Sequence, residues 1–236
     1  MQLPSPSSTL KDLIAQVHAN YAALMSFASA NGLDHLGGKL LCVGELDEAG
    51  RALTIAANIA GAATLATTAN QTAGKQAMRE GVADFVVTTL DEALRILKNQ
   101  LRKREPVSVC VGKAPEIVVR EMLARGVNPD LIAGGEAGES APLVRFVAYG
   151  AQRIETQPLA SGQNLFAVET PVALMRETAR IEEILAAALA EDDRVNRRWL
   201  RLSPRYLGPA ARRVRSMVCD ASTASALREQ LERLKS

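Results

Sequence analysis

The chain has 236 residues, enough for one large domain or a domain with an appendage, and 47% of them are hydrophobic, enough for a real core. Its formal net charge of +2 points to no partner class, and 3% aromatics suit helices packed closely on a sheet better than a base-stacking platform. Three cysteines, Cys42, Cys110 and Cys219, fit no disulfide framework and stand at no metal-ligand spacing from His18 or His35, so no metal site is expected.

The opening MQLPSPSS is a Pro/Ser-rich lead-in, and Ser8 or Thr9 caps an expected helix reaching about Ala30. Leu10, Leu13, Ile14, Val17, Tyr21, Leu24 and Met25 recur along it at helical spacing. An alternation of strands and helices follows. Strands are expected at Leu40–Val43, Ala62–Thr67, Asp84–Val87, Val107–Val111 and Asp130–Ala133. Helices are expected between them at Asp47–Ile59, Thr72–Glu80, Asp91–Lys103 and Pro115–Arg125. Five strands separated by helices imply a parallel sheet with right-handed crossovers. After the fifth strand comes a glycine-rich acidic loop, Gly134–Ser140, with Glu136 and Glu139 as acid–base or ribose-holding candidates. Further strands are expected at Val144–Tyr149 and Leu165–Val168, and helices from Pro171 onward. No apolar run is long enough to cross a membrane, and no basic region followed by an apolar stretch opens the chain, so the expectation is a cytoplasmic protein.

Two glycines mark a candidate site. Gly44 and Gly112 each follow Cys-Val at the carboxyl end of a strand (Cys42-Val43-Gly44 and Cys110-Val111-Gly112). In a 3-2-1-4-5 strand order the first and fourth strands are neighbours, and the two glycines frame one crevice. Asp47 and Glu48, at the start of the first crossover helix, read as a cap and as partners of the helix dipole. They oppose a phosphate there, which leaves a neutral or cationic ligand, or an approach through Gly112 and Lys113.

The stretches GGKLLCVG, TLDEALRI and VSVCVGKAPEIVVREMLARGVNPDLI, with the spacing between them, resemble the central Rossmann-like domain of urocanase (urocanate hydratase) from about Leu36 to Ala133. Gly112-Lys113-Ala114-Pro115-Glu116 and Arg125-Gly126-Val127-Asn128-Pro129-Asp130 occupy the places of the family's Gly-Asn-Ala-Ala-Glu turn and Arg-Gly-Val-x-Pro-Asp run. The resemblance implies an α/β fold: a five-stranded, doubly wound parallel Rossmann-like sheet, here with an N-terminal helix and a mostly helical C-terminal region. It also implies NAD, or another nucleotide, as cofactor. The positions it nominates for cofactor binding are Gly44, Glu45, Thr67, Gly112, Lys113, Ala114, Gly134 and Gly135. The sequence departs from the family in three places. ELDEAG replaces the glycine cluster, Thr67 stands where an acid would hold the ribose, and GGEAGES replaces the Asp-Gln-Thr-Ser-Ala-His-Asp run. No counterpart of the family's catalytic C-terminal portion is recognised, so urocanate hydration by this chain alone is not expected. Any lyase/hydratase-like or NAD-dependent activity would need a partner.

The expected organisation is a helical arm over 1–36, the Rossmann-like domain over 37–150 and a mostly helical region over 151–236. Arg194–Arg215 holds eight arginines and no acid. It reads either as an anion or nucleic-acid surface with Trp199 and Tyr206 as stacking groups, or as arginines paired with acids such as Glu182, Glu183, Glu191, Asp192 and Asp193. Without a nucleic-acid motif the second reading is preferred. The functional expectation is a protein that binds a nucleotide or small metabolite. The alternative is a non-catalytic interaction or regulatory protein, a homo-oligomer assembled through its C-terminal helices.

Overall fold

The computed structural model describes residues 6–134, 141–156, 159, 161–170 and 172–234. The chain divides into two compact units, Val17–Gln157, and Met1–Gln16 together with Pro158–Ser236. Helix α1 (Ser8–Ala30) contributes its first turns to one and the remainder to the other. Its expected apolar stripe is real: Ile14, Val17, Tyr21 and Leu24 are fully buried.

In Val17–Gln157, strands and helices alternate as β1 (Leu40–Glu45), α2 (Glu48–Ala60), β2 (Ala63–Thr67), α3 (Gln71–Arg79), β3 (Phe85–Val87) and α4 (Leu90–Lys103). There follow β4 (Val107–Val111), α5 (Pro115–Ala124), β5 (Leu131–Ala133), α6 (Ala141–Ala148) and β6 (Gln152–Ile154). All pairings are parallel and the order is β3-β4-β2-β1-β5-β6. The five expected strands are present and β6 adds a sixth. The expected neighbour relation is corrected, because β4 pairs with β2, and β1 lies between β2 and β5.

This order dictates which face each helix covers. The steps from β1 to β2 and from β2 to β3 run one way along the sheet, and the three later steps run the other way. Right-handed crossovers therefore send α2 and α3 to one face and α4, α5 and α6 to the opposite one. The packing agrees. Leu90, Ala93 and Leu97 of α4, Val118, Val119 and Met122 of α5, and Leu143 and Phe146 of α6 form one core with Leu40, Cys42, Leu65, Val109 and Ile132 of the sheet. The segment expected as a strand at Val144–Tyr149 is therefore mostly the helix α6. Leu143 and Phe146 are buried three residues apart while Val144 and Val147 are exposed, a helical rather than an alternating pattern.

The other unit holds β7 (Gln163–Glu169), a 3-10 turn (Val172–Glu177), α7 (Thr178–Ala187), α8 (Arg194–Tyr206), a 3-10 turn at Pro209–Ala211, β8 (Val214–Asp220) and α9 (Ala221–Arg233). It is mostly helical as expected, but β7 finds an antiparallel partner in β8 that the sequence reading did not place. Phe166, Val168, Met217 and Cys219 of this pair pack with Ile181 and Leu185 of α7, Leu200 of α8, and Leu227 and Leu231 of α9.

His18, on α1, is 6% exposed, and burial pushes its imidazole from 6.5 down to about 4. The folded protein thus keeps this ring neutral over a range in which the unfolded chain protonates it. Above pH 6.5 the group contributes no slope. As the pH falls toward 4 the unfolded state takes up the proton first, and stability drops by up to about 3 kcal/mol. Urea denaturation at neutral and mildly acidic pH, compared with the His18→Gln variant, checks this. The variant is expected to lose most of the acid-side slope in that window.

Candidate site at the carboxyl ends of β1 and β5

The step away from β1 and the step away from β5 run in opposite directions, so the loops that follow them diverge. That makes the β1/β5 boundary the switch point of the sheet, where open α/β sheets bind ligands. The hydrogen bonding opens the boundary at one end only. At the amino ends the strands are clamped. Lys39 Nζ lies 2.9 Å from Asp130 Oδ1, the Leu40 N–H donates to Asp130 Oδ2 (2.9 Å), and the Asp130 N–H donates to the Leu40 carbonyl (2.9 Å). Pairing then continues only through Leu41↔Leu131 and Cys42↔Ile132. Beyond that, β1 stays with β2 as far as Glu45↔Thr67, and β5 stays with β6 as far as Ala133↔Ile154. The register between β1 and β2 slips between Cys42 and Gly44, a bulge at the point of parting.

Each residue of the turn has a local reason. Gly44 takes φ +84°, where a side chain is strained although nothing crowds it. The Thr67 hydroxyl donates to the Gly44 carbonyl (2.8 Å), and the Leu46 N–H donates to the Thr67 carbonyl (2.8 Å). Thr67 is 1% exposed, and its hydroxyl stitches the turn to the end of β2. Asp47 caps α2 as expected, its Oδ1 accepting from the Gly50 N–H (2.8 Å). Gly50 is the residue whose importance the sequence reading missed. A Cβ there would lie 2.0 Å from the Glu45 carbonyl oxygen, so the glycine lets α2 start directly against the end of β1. Gly134 has a similar role on the opposite wall. Its N–H donates to the Ile154 carbonyl (2.9 Å), and a Cβ would lie 2.4 Å from that oxygen.

The nominated residues thus separate into two groups. Gly44, Glu45 and Gly134 stand at the carboxyl ends of β1 and β5, where the two strands part. Gly112, Lys113 and Ala114 follow β4, with the whole of β2 intervening, so Gly44 and Gly112 do not frame one crevice as the assumed strand order required. Lys113 is engaged with Glu121 of α5 (2.8 Å), and Ala114 is the N-cap of that helix without a side-chain capping bond. Gly135, Glu136 and Glu139 lie outside the described residues.

A pyrophosphate does not fit at the start of α2. The Gly50 N–H is already taken by the Asp47 carboxylate, and Glu45 and Glu48 place two further exposed carboxylates beside the same turn. Thr67 is buried and offers no carboxylate to a ribose.

The cysteines do not supply a nucleophile. All three are free and buried. Burial pushes Cys42 up to about 11, and burial together with the Glu45 carboxylate does the same for Cys110. Cys219 is raised by burial and by Asp220. A thiol reagent at mildly alkaline pH is expected to label none of them within minutes in the folded protein and all three in denaturant. Quantitative labelling followed by mass spectrometry checks this. Among the described residues no group of His, Cys, Asp and Glu is placed to hold a metal ion, and no helix is long and apolar enough to cross a membrane.

At least three of the eight arginines in the arginine-rich stretch have partners within their own unit. Arg215 Nε lies 2.6 Å from Glu182 Oε1, Arg213 pairs with Glu169 (2.8 Å), and Arg197 donates to the Leu189 and Ala190 carbonyls. Trp199 is fully buried and its indole N–H donates to the Ser216 carbonyl (3.1 Å) and hydroxyl (3.2 Å), so it is not a stacking group.

The family model for the urocanase Rossmann-like domain matches residues 15–141, which take in β1 to β5, the four helices between them and most of α1. The match covers more than half of the chain and takes in five of the six strands of the parallel sheet, and on that basis the chain belongs to the urocanase Rossmann-like domain family, whose fold is of a nucleotide-binding type.

Proposed function

We propose that this urocanase-like Rossmann domain binds a small metabolite in the crevice between the carboxyl ends of β1 and β5, with Gly44 and Glu45 on one wall and Gly134 on the other. The parting of the two strands after Cys42 and Ile132 carries this reading, since it opens backbone N–H and C=O groups to a ligand at the switch point. The three carboxylates of Glu45, Asp47 and Glu48 favour a neutral or cationic group on the β1 side over a phosphate. Hydration of urocanate is not part of the proposal.

The test is the amide spectrum of the full chain, labelled with nitrogen-15, against a panel of small metabolites, with NAD and ATP as phosphate-bearing arms. A neutral or cationic metabolite is expected to move the amides of Gly44–Leu46 and Ala133–Gly134 saturably and leave those of Gly112–Ala114 in place. Shifts centred on Gly112–Ala114, or saturable binding of NAD at Glu45–Ala49, would overturn it. Silence toward every compound would move the assignment to the interaction or regulatory reading.

A further inference from the structure

The second unit has a groove of its own, of about 350 Å3, between α7 and α8. It lies outside the family match, which ends at residue 141. The α7 wall presents Ala179, Glu182, Glu183 and Ala186, which share one helical face, and the α8 wall presents Arg197, Leu200 and Arg201. Carboxylates therefore line one side and guanidinium groups the other, over an apolar floor of alanines and the buried Leu200.

Two of the four charges are fixed from behind. Glu182 Oε1 accepts from Arg215 Nε (2.6 Å), and the Arg215 side chain is 9% exposed and also donates to the carbonyls of Arg212 and Val214. Arg197 is held by its bonds to the Ala190 (3.0 Å) and Leu189 (2.9 Å) carbonyls, just past the end of α7. Neither is free to swing across. The other two, Glu183 and Arg201, are exposed, and among the described residues no ion pair bridges the walls. The groove thus has a carboxylate wall facing a guanidinium wall, one charge on each held in place, and its four lining charges cancel. A simple anion meets the carboxylate wall and a simple cation the guanidinium wall, while a neutral molecule with both charges satisfies each.

We propose that this groove binds a small zwitterion of the α-amino acid class. Its carboxylate lies on the planar donor fork of Arg201, its ammonium on Glu183, and its carbon side against Leu200 and Ala186. The volume falls at the small end of ligand pockets, which suits a molecule of that size. The proposal is independent of the β1/β5 crevice, and the two are read at different amides.

The probes are the common amino acids, each at millimolar concentration, with propionate and propylammonium as single-charge controls, followed in the amide spectrum of the full chain. At least one amino acid is expected to produce saturable shifts along residues 179–186 and 197–201, and neither control is. Glu183→Gln and Arg201→Gln, both at exposed positions and so expected to leave the melting temperature unchanged, should each weaken that binding about tenfold or more. The proposal is overturned if no amino acid binds saturably, if a single-charge control binds as well as the amino acid, or if either glutamine variant binds it as the native chain does.

Discussion

Replacing Gly50 with alanine is expected to destabilise the protein by about 3 kcal/mol or more, at or beyond the upper end for overpacking. The new methyl carbon would sit 2.0 Å from the Glu45 carbonyl oxygen and 3.1 Å from its carbon. These are backbone atoms at the end of a paired strand, so they cannot rotate aside as a flexible side chain would. Relief requires α2 to retreat from β1, which would strip packing from a helix in which ten of thirteen residues are buried. Gly44→Ala supplies the control. It lies in the same turn, at φ +84° but with nothing within 4 Å, so its cost is backbone strain alone, about 1 kcal/mol. Urea midpoints of the two variants, at unchanged m-value, measure the difference. Equal effects would mean that Gly50 is not held by the strand–helix approach described above.

Trp199→Ala is expected to cost about 3–5 kcal/mol, comparable with the whole stability of a marginal domain. The indole is fully buried, and its loss leaves both a cavity and the Ser216 carbonyl and hydroxyl without their donor. Trp199→Phe separates the two contributions. It keeps most of the ring and gives up the N–H, for about 1 kcal/mol from the hydrogen bond. This is the chain's single tryptophan, so circular dichroism rather than intrinsic fluorescence follows the variants. If the Ala variant unfolded at the native midpoint, the pairing of α8 with β8 through this side chain would carry no stability.

Much of the Rossmann-like layer was legible residue by residue. Val107–Val111 reads as a strand from composition alone, because an apolar β-branched run ending at glycine has few other uses, and its observed limits coincide with the expected ones. Asp47 announced a cap and is one. The errors lie where the local pattern is ambiguous. LVRFVAY contains β-branched and aromatic residues that suit a strand, and only the burial of Leu143 and Phe146 against α5 and the sheet makes it a helix. Val214–Asp220 was hidden by Arg215 and by Arg212 and Arg213 just before it. Arg215 is 8% exposed as the second residue of β8, and a buried guanidinium is tolerable only because Glu182 and two carbonyls receive it.

The candidate site divides along the same line. Gly44 as a turn glycine and the unsuitability of the α2 start for phosphate follow from short-range chemistry, and the sequence by itself determined both. It likewise determined the α/β class, since period-2 and period-3.6 patterns are local and each element's caps lie within a few residues of it. Which residues face Gly44 is not local. The right-handed crossover rule fixes the hand of each connection but not how many strands it passes, and here the connection from β4 passes two strands before β5. That step puts Gly112 two strands away from Gly44, and Gly134 at the end of the neighbouring strand. It rests on long-range packing, including the clamp of Lys39 and Leu40 on Asp130 some ninety residues along the chain, and only the tertiary structure decided it.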